Sequence, residues 1–77
     1  MDSVKEKITE ILTSNLGIAP TEITDNASFT KDLGIDSLDY AELVMEFEQA
    51  FNIRIPDNEA EKLQTLQQAT EYIKAKL

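Results

Sequence analysis

The chain has 77 residues, 42% of them apolar, and fifteen Asp and Glu against seven Lys and Arg give it a net charge of −8. A fold of this size buries only about 60% of the surface its unfolded chain exposes, so the whole of 1–77 reads as one domain with one modest core. With no Cys or His there is no disulfide, thiolate zinc site, cysteine nucleophile or imidazole base, the longest apolar run is three residues (Leu43–Met45), and the acidity argues against a nucleic acid or an anionic membrane as partner.

The first predicted element is a helix over 3–16. Ser3 and Glu6 have capping-box spacing, Val4, Ile8, Ile11 and Leu12 recur on one face, and Gly17 stands where a left-handed cap belongs. From Gly17 to Ile35 there is no clear period over nineteen residues, long for a plain loop. Ile18, Ile23, Phe29, Leu33 and Ile35 are scattered through it, which predicts an ordered connection pinned to the core, with a helical turn over 28–31. A second helix runs from Asp36, its N-cap, to Phe51. Ile55-Pro56-Asp57 then offers a stop and a new start, for a short helix reaching about Leu63. Thr65 and Gln68 form another capping box ahead of Leu66, Ala69, Ile73 and Leu77 on one helical face. Nothing reads as strand. The expected fold is all-α: a small four-helix bundle of three main helices and one short one, with a long first connection.

The charge is segregated. Between Asp32 and Glu61 nine acids face one base, Arg54, while the remaining residues balance at six against six. At ~100° per residue the second helix sorts into sectors. Tyr40, Leu43, Val44, Phe47 and Phe51 form the core stripe. Leu38, Ala41 and Met45 form a smaller apolar strip on the far side, flanked by Asp39, Glu42 and Glu46 and closed by Glu48. An apolar centre with a charged rim is the composition of a protein interaction site. Ser37 follows the N-cap with an exposed hydroxyl, where a phosphate would meet the free amides and positive end of a helix.

The run Asp32-Leu33-Gly34-Ile35-Asp36-Ser37-Leu38-Asp39, continued by Glu42-Leu43-Val44-Met45 and by Ile55-Pro56-Asp57, resembles the acyl carrier proteins of dissociated fatty acid synthesis over nearly the whole chain. The resemblance implies phosphopantetheine attached covalently to Ser37 by a phosphopantetheinyl transferase acting on coenzyme A. It implies that Asp36 caps the helix and helps the transferase place its metal ion and the hydroxyl. It also implies partners with Arg and Lys patches, docking on Asp36, Asp39, Glu42, Glu46 and Glu48 around Leu38, Ala41, Met45 and Ile55. A carrier of this kind is expected to be a cytoplasmic monomer, without catalytic or metal-binding residues of its own, that starts at Met1 and presents acyl thioesters to fatty acid biosynthesis enzymes. Tyr40, Glu46, Gln49, Ala50 and Arg54 depart from the usual pattern, so a carrier for polyketide or specialised lipid synthesis is the alternative. Gly34-Ile35-Asp36-Ser37 differs from the Gly-Gly-His-Ser of peptidyl carriers. An unmodified acidic adaptor is the rival of a different class. A calcium loop is not, because Ser37 and Leu43 stand where its Gly and Glu would be, counting from Asp32.

Overall fold

The computed structural model describes residues 3–77, in the order α1 (Ser3–Leu16), a 3-10 turn (Pro20–Glu22), α2 (Ser37–Phe51), α3 (Asp57–Ala60) and α4 (Leu66–Lys76). The expected start at Met1 lies outside the described residues. Val4, Ile8, Ile11 and Leu12 of α1 are buried, as their spacing requires, and α1 packs against both α2 and α4. Ser3 is itself helical rather than the flanking residue of a capping box. Gly17, at φ +68°, closes α1 by donating its N–H to the Thr13 carbonyl at 3.1 Å, the left-handed ending for which Gly carries no Cβ penalty.

The long connection is ordered by contacts at three levels. Ile18, Phe29 and Ile35 are buried, with Ile23 and Leu33 packed against the same core. A 3-10 turn that the sequence reading missed sits at Pro20–Glu22, where Pro occupies the first turn, a position that suits its fixed φ and missing N–H. The turn expected at 28–31 extends to Leu33: the N–H groups of Asp32 and Leu33 both donate to the Ser28 carbonyl at 3.0 Å, and the Ser28 N–H donates to Asp32 Oδ2 at 2.7 Å. Two backbone bonds then strap this segment to the start of α4, Phe29 N–H to the Gln64 carbonyl at 2.8 Å and Gln67 N–H to the Asp25 carbonyl at 2.9 Å. They flank an isolated antiparallel bridge between Ser28 and Thr65; among the described residues there is no strand.

Asp36 caps α2 as expected, its Oδ1 accepting the Asp39 N–H at 2.8 Å, and Leu43, Val44 and Phe47 are buried beneath. Asn52 ends α2 in the left-handed conformation at φ 53°, which Asn tolerates better than other residues with a Cβ. Thr65 and Gln68 form the predicted capping box of α4.

Two further expectations are corrected. α3 stops at Ala60 rather than near Leu63, because the next amides, Lys62 and Leu63, donate three residues back and tighten into a turn. Leu77 is 67% exposed, one turn beyond Ile73, the last buried residue of α4.

Candidate functional site

The first residues of any helix leave their amides without intrahelical acceptors. At the start of α2 the Asp39 amide is taken by the Asp36 side chain and the Tyr40 amide by the Asp36 carbonyl at 2.8 Å. The Ser37 and Leu38 amides stay open among the described residues, and Ser37 is exposed beside them. The positive end of the helix and two free N–H groups therefore converge where the Ser37 hydroxyl stands. Ile35 brings the chain to this point: it is buried, and its N–H donates to the Phe29 carbonyl at 2.9 Å. Gly34, at φ +68°, turns the backbone just before it.

Ser37 also lies on the rim of a cleft of about 870 Å³ between α2, the segment 53–56 and α3. Val44, Met45, Ile53 and Ile55 give it an apolar wall, and Glu48, Arg54, Asp57 and Glu61 bring charge to it. Of the residues with a phenyl ring or branched chain in the core stripe, Val44 and Tyr40 reach this cleft, whereas Phe47 is fully enclosed in the core.

Most of the predicted surface is found together on α2. Leu38 is 69% exposed and Met45 57%, with Ala41 exposed between them. Asp39, Glu42 and Glu46 line the flank nearest Asn15 and Leu16 of α1, and Glu42 and Glu46 are exposed without a cationic partner among the described residues. Two predicted contact residues are placed differently. Ile55 is only 4% exposed: it packs into the core and contributes the floor of the cleft instead of the outer strip. Glu48 is half-buried and turned inward, its Oε2 accepting the Ile55 N–H at 2.8 Å, so it fixes the chain after α2 as well as bringing charge to the cleft.

Tyr40 does something the periodicity of α2 did not reveal. Its ring meets that of Phe29 at 6.2 Å between centroids, and its hydroxyl lies 2.5 Å from the Ala60 carbonyl and 2.6 Å from the Leu63 carbonyl. A single phenolic proton thus ties α2 to both ends of the turn that follows α3. Burial pushes the Tyr40 hydroxyl up to about 12. From the other side Tyr72 of α4 donates to Glu59 of α3, with Lys76 Nζ 3.8 Å from the same carboxylate oxygen and 5.4 Å above the Tyr72 ring. Burial first, then the Glu59 hydrogen bond and the charges of Glu59 and Glu48, raise Tyr72 to about 12 as well. The signal for Tyr40 was a Tyr where a Leu or Val would have filled a core stripe; Tyr72 stands beside the apolar face of α4 and gave none.

The group at Ser37 fits a phosphodiester: an exposed hydroxyl and two open amides, with a cleft of mixed apolar and charged lining beside them. The family model described as the phosphopantetheine attachment site matches residues 6–73, nearly the whole chain, and the protein belongs to that family of carriers, whose members hold phosphopantetheine covalently.

Proposed function

We propose that Ser37 is the attachment residue and that the carrier serves fatty acid biosynthesis, presenting acyl thioesters to enzymes that dock on α2. The observation that carries this reading is the exposed Ser37 side chain at the first turn of α2, between the open helix amides and the rim of the cleft walled by Val44, Met45, Ile53 and Ile55. Ser37 Oγ attacks the phosphorus of coenzyme A that bears the pantetheine arm, the phosphoanhydride bond breaks, adenosine bisphosphate leaves, and the hydroxyl proton passes to a base of the transferase. The product is a phosphodiester whose single negative charge lies against the α2 amides. Asp36 keeps the first turn in place through Oδ1, and its other carboxylate oxygen would be the one to help hold a metal ion of the transferase. When bound, the group supplies a thiol on a long arm, on which acyl thioesters form.

The chain itself brings no nucleophile or base to the later chemistry; partner enzymes supply them. Its own contribution is recognition. Glu42 and Glu46 attract basic patches at long range, and the exposed Leu38, Ala41 and Met45 give each complex a small apolar centre. Such a surface favours fast encounter and short residence, which suits a monomeric carrier that must leave every enzyme it visits.

The test is incubation with coenzyme A and a broad-specificity transferase, followed by intact mass spectrometry. Wild type gains the phosphopantetheine mass once, and Ser37→Ala gains nothing. Modification of Ser37→Ala would move the site elsewhere, and an unmodified wild type purified from its native host would favour the adaptor reading.

A further inference from the structure

The cleft beside Ser37 has a neighbour. A second recess of about 410 Å³ opens between the turn after Ser28 and the α3–α4 connection, with Phe29, Leu63 and Thr65 in its wall. Tyr40 and Glu61 belong to both cavities. The two carbonyls that accept from the Tyr40 hydroxyl are divided the same way, since Ala60 lines the cleft and Leu63 lines the recess. The phenol therefore stands as a partition, anchored to the strip of backbone that would have to move for one cavity to open into the other.

Resting on the reading of Ser37 as the attachment residue, we infer that Tyr40 sets how long an apolar chain this carrier can shelter. With the hydroxyl bonded, a chain tethered through Ser37 has the cleft alone, and the length that is covered ends at the Tyr40 ring. A longer chain reaches the recess by displacing the ring and breaking the bond to Ala60 and Leu63. α3 is the element that would yield, because it is four residues long and is held from outside its own ladder by Tyr40 and by Tyr72. The hydroxyl remains a donor at neutral pH, so the partition is set by geometry and not by titration.

The experiment loads wild type, Tyr40→Phe and Tyr40→Leu with butyryl, octanoyl or palmitoyl thioesters and measures their cleavage by hydroxylamine against the same thioesters on free pantetheine. Wild type should protect the butyryl group and leave the palmitoyl group cleaved at close to the free rate. Tyr40→Phe keeps the ring and removes the bolt, so octanoyl and palmitoyl cleavage should slow by roughly fivefold, the factor expected from one net hydrogen bond, while butyryl cleavage stays as it was. Amide exchange at Glu61, Lys62 and Leu63 should quicken by a similar factor in the unloaded variant. Tyr40→Leu, which also shrinks the partition, should extend protection further; if its circular dichroism shows that it does not fold, Tyr40→Phe decides alone. An unchanged length profile in Tyr40→Phe, or an equal shift for all three chains, overturns the inference while leaving the carrier reading intact. Failure of wild type to gain the pantetheine mass removes the carrier reading instead, and the inference with it.

Discussion

Tyr40 and Tyr72 grip α3 from two sides with the same group and different acceptors, backbone carbonyls in one case and a carboxylate in the other. Both phenols must keep their proton to donate, and both are raised from 10.0 to about 12 in the fold. A group whose folded value lies above its unfolded one contributes stability that is whole below the unfolded value and is lost as pH climbs through the folded one. The window here is therefore pH 10.0 to about 12. At neutral pH Tyr40→Phe should be less stable by about 1 kcal/mol, a Tm lower by roughly 4–8 °C. Thermal melts followed by circular dichroism should show that deficit shrinking above pH 10.0, as wild type loses the bond the variant never had. A deficit constant across the window would separate the Tyr40 proton from folding. At this scale the sequence was legible where partners are local. Asp36 caps an amide three residues on and was read correctly, whereas the Tyr40 acceptors lie 20 and 23 residues away and belong to a turn no periodicity announces.

Among the elements, α2 was the most legible because its two apolar faces differ in width, and the wider one had to be the core. Leu43, Val44 and Phe47 are buried while Leu38 and Met45 stand out in solvent. α3 was overestimated because Ile55-Pro56-Asp57 marks where a helix can start and nothing in 61–64 marks where it stops. Ile55 was misplaced for a related reason: it lies beyond the helical wheel that sorted α2, and only the return of the chain under α3 buries it. The faces of α2 make a kinetic prediction. Glu42→Lys puts a repulsive charge against a basic partner, so association with a transferase or condensing enzyme should slow and its salt dependence weaken. Met45→Ala should instead speed dissociation, by an amount of order 1 kcal/mol for a side chain partly covered in the complex. Neither should change the circular dichroism, since both side chains are exposed. Stopped-flow binding at two salt concentrations separates the effects, and a slower association for Glu6→Lys on α1 with none for Glu42→Lys would move docking off α2.

For the molecule as a whole, composition separated the charged middle from the balanced ends, and the structure gives that division a shape. The acids gather on α2 and α3, while α1 and α4 pack together and carry ion pairs such as Lys5 with Asp25 at 2.7 Å. What no composition could reveal is how the long connection is held. The backbone bonds from Phe29 to Gln64 and from Gln67 to Asp25 join residues 35 and 42 apart in sequence, through main-chain groups that carry no signature of the side chain. That strap makes the two regions a single cooperative unit: neither can open to solvent without breaking the other's hydrogen bonds, although the helix carrying Ser37 lies between them in the chain. Native-state hydrogen exchange should accordingly give the Phe29 and Gln67 amides one shared opening free energy and one denaturant slope, and unequal values would mean that the segments open independently. On the inference that a long chain displaces Tyr40, α3 is the part that loosens around a cargo while the frame behind it stays shut.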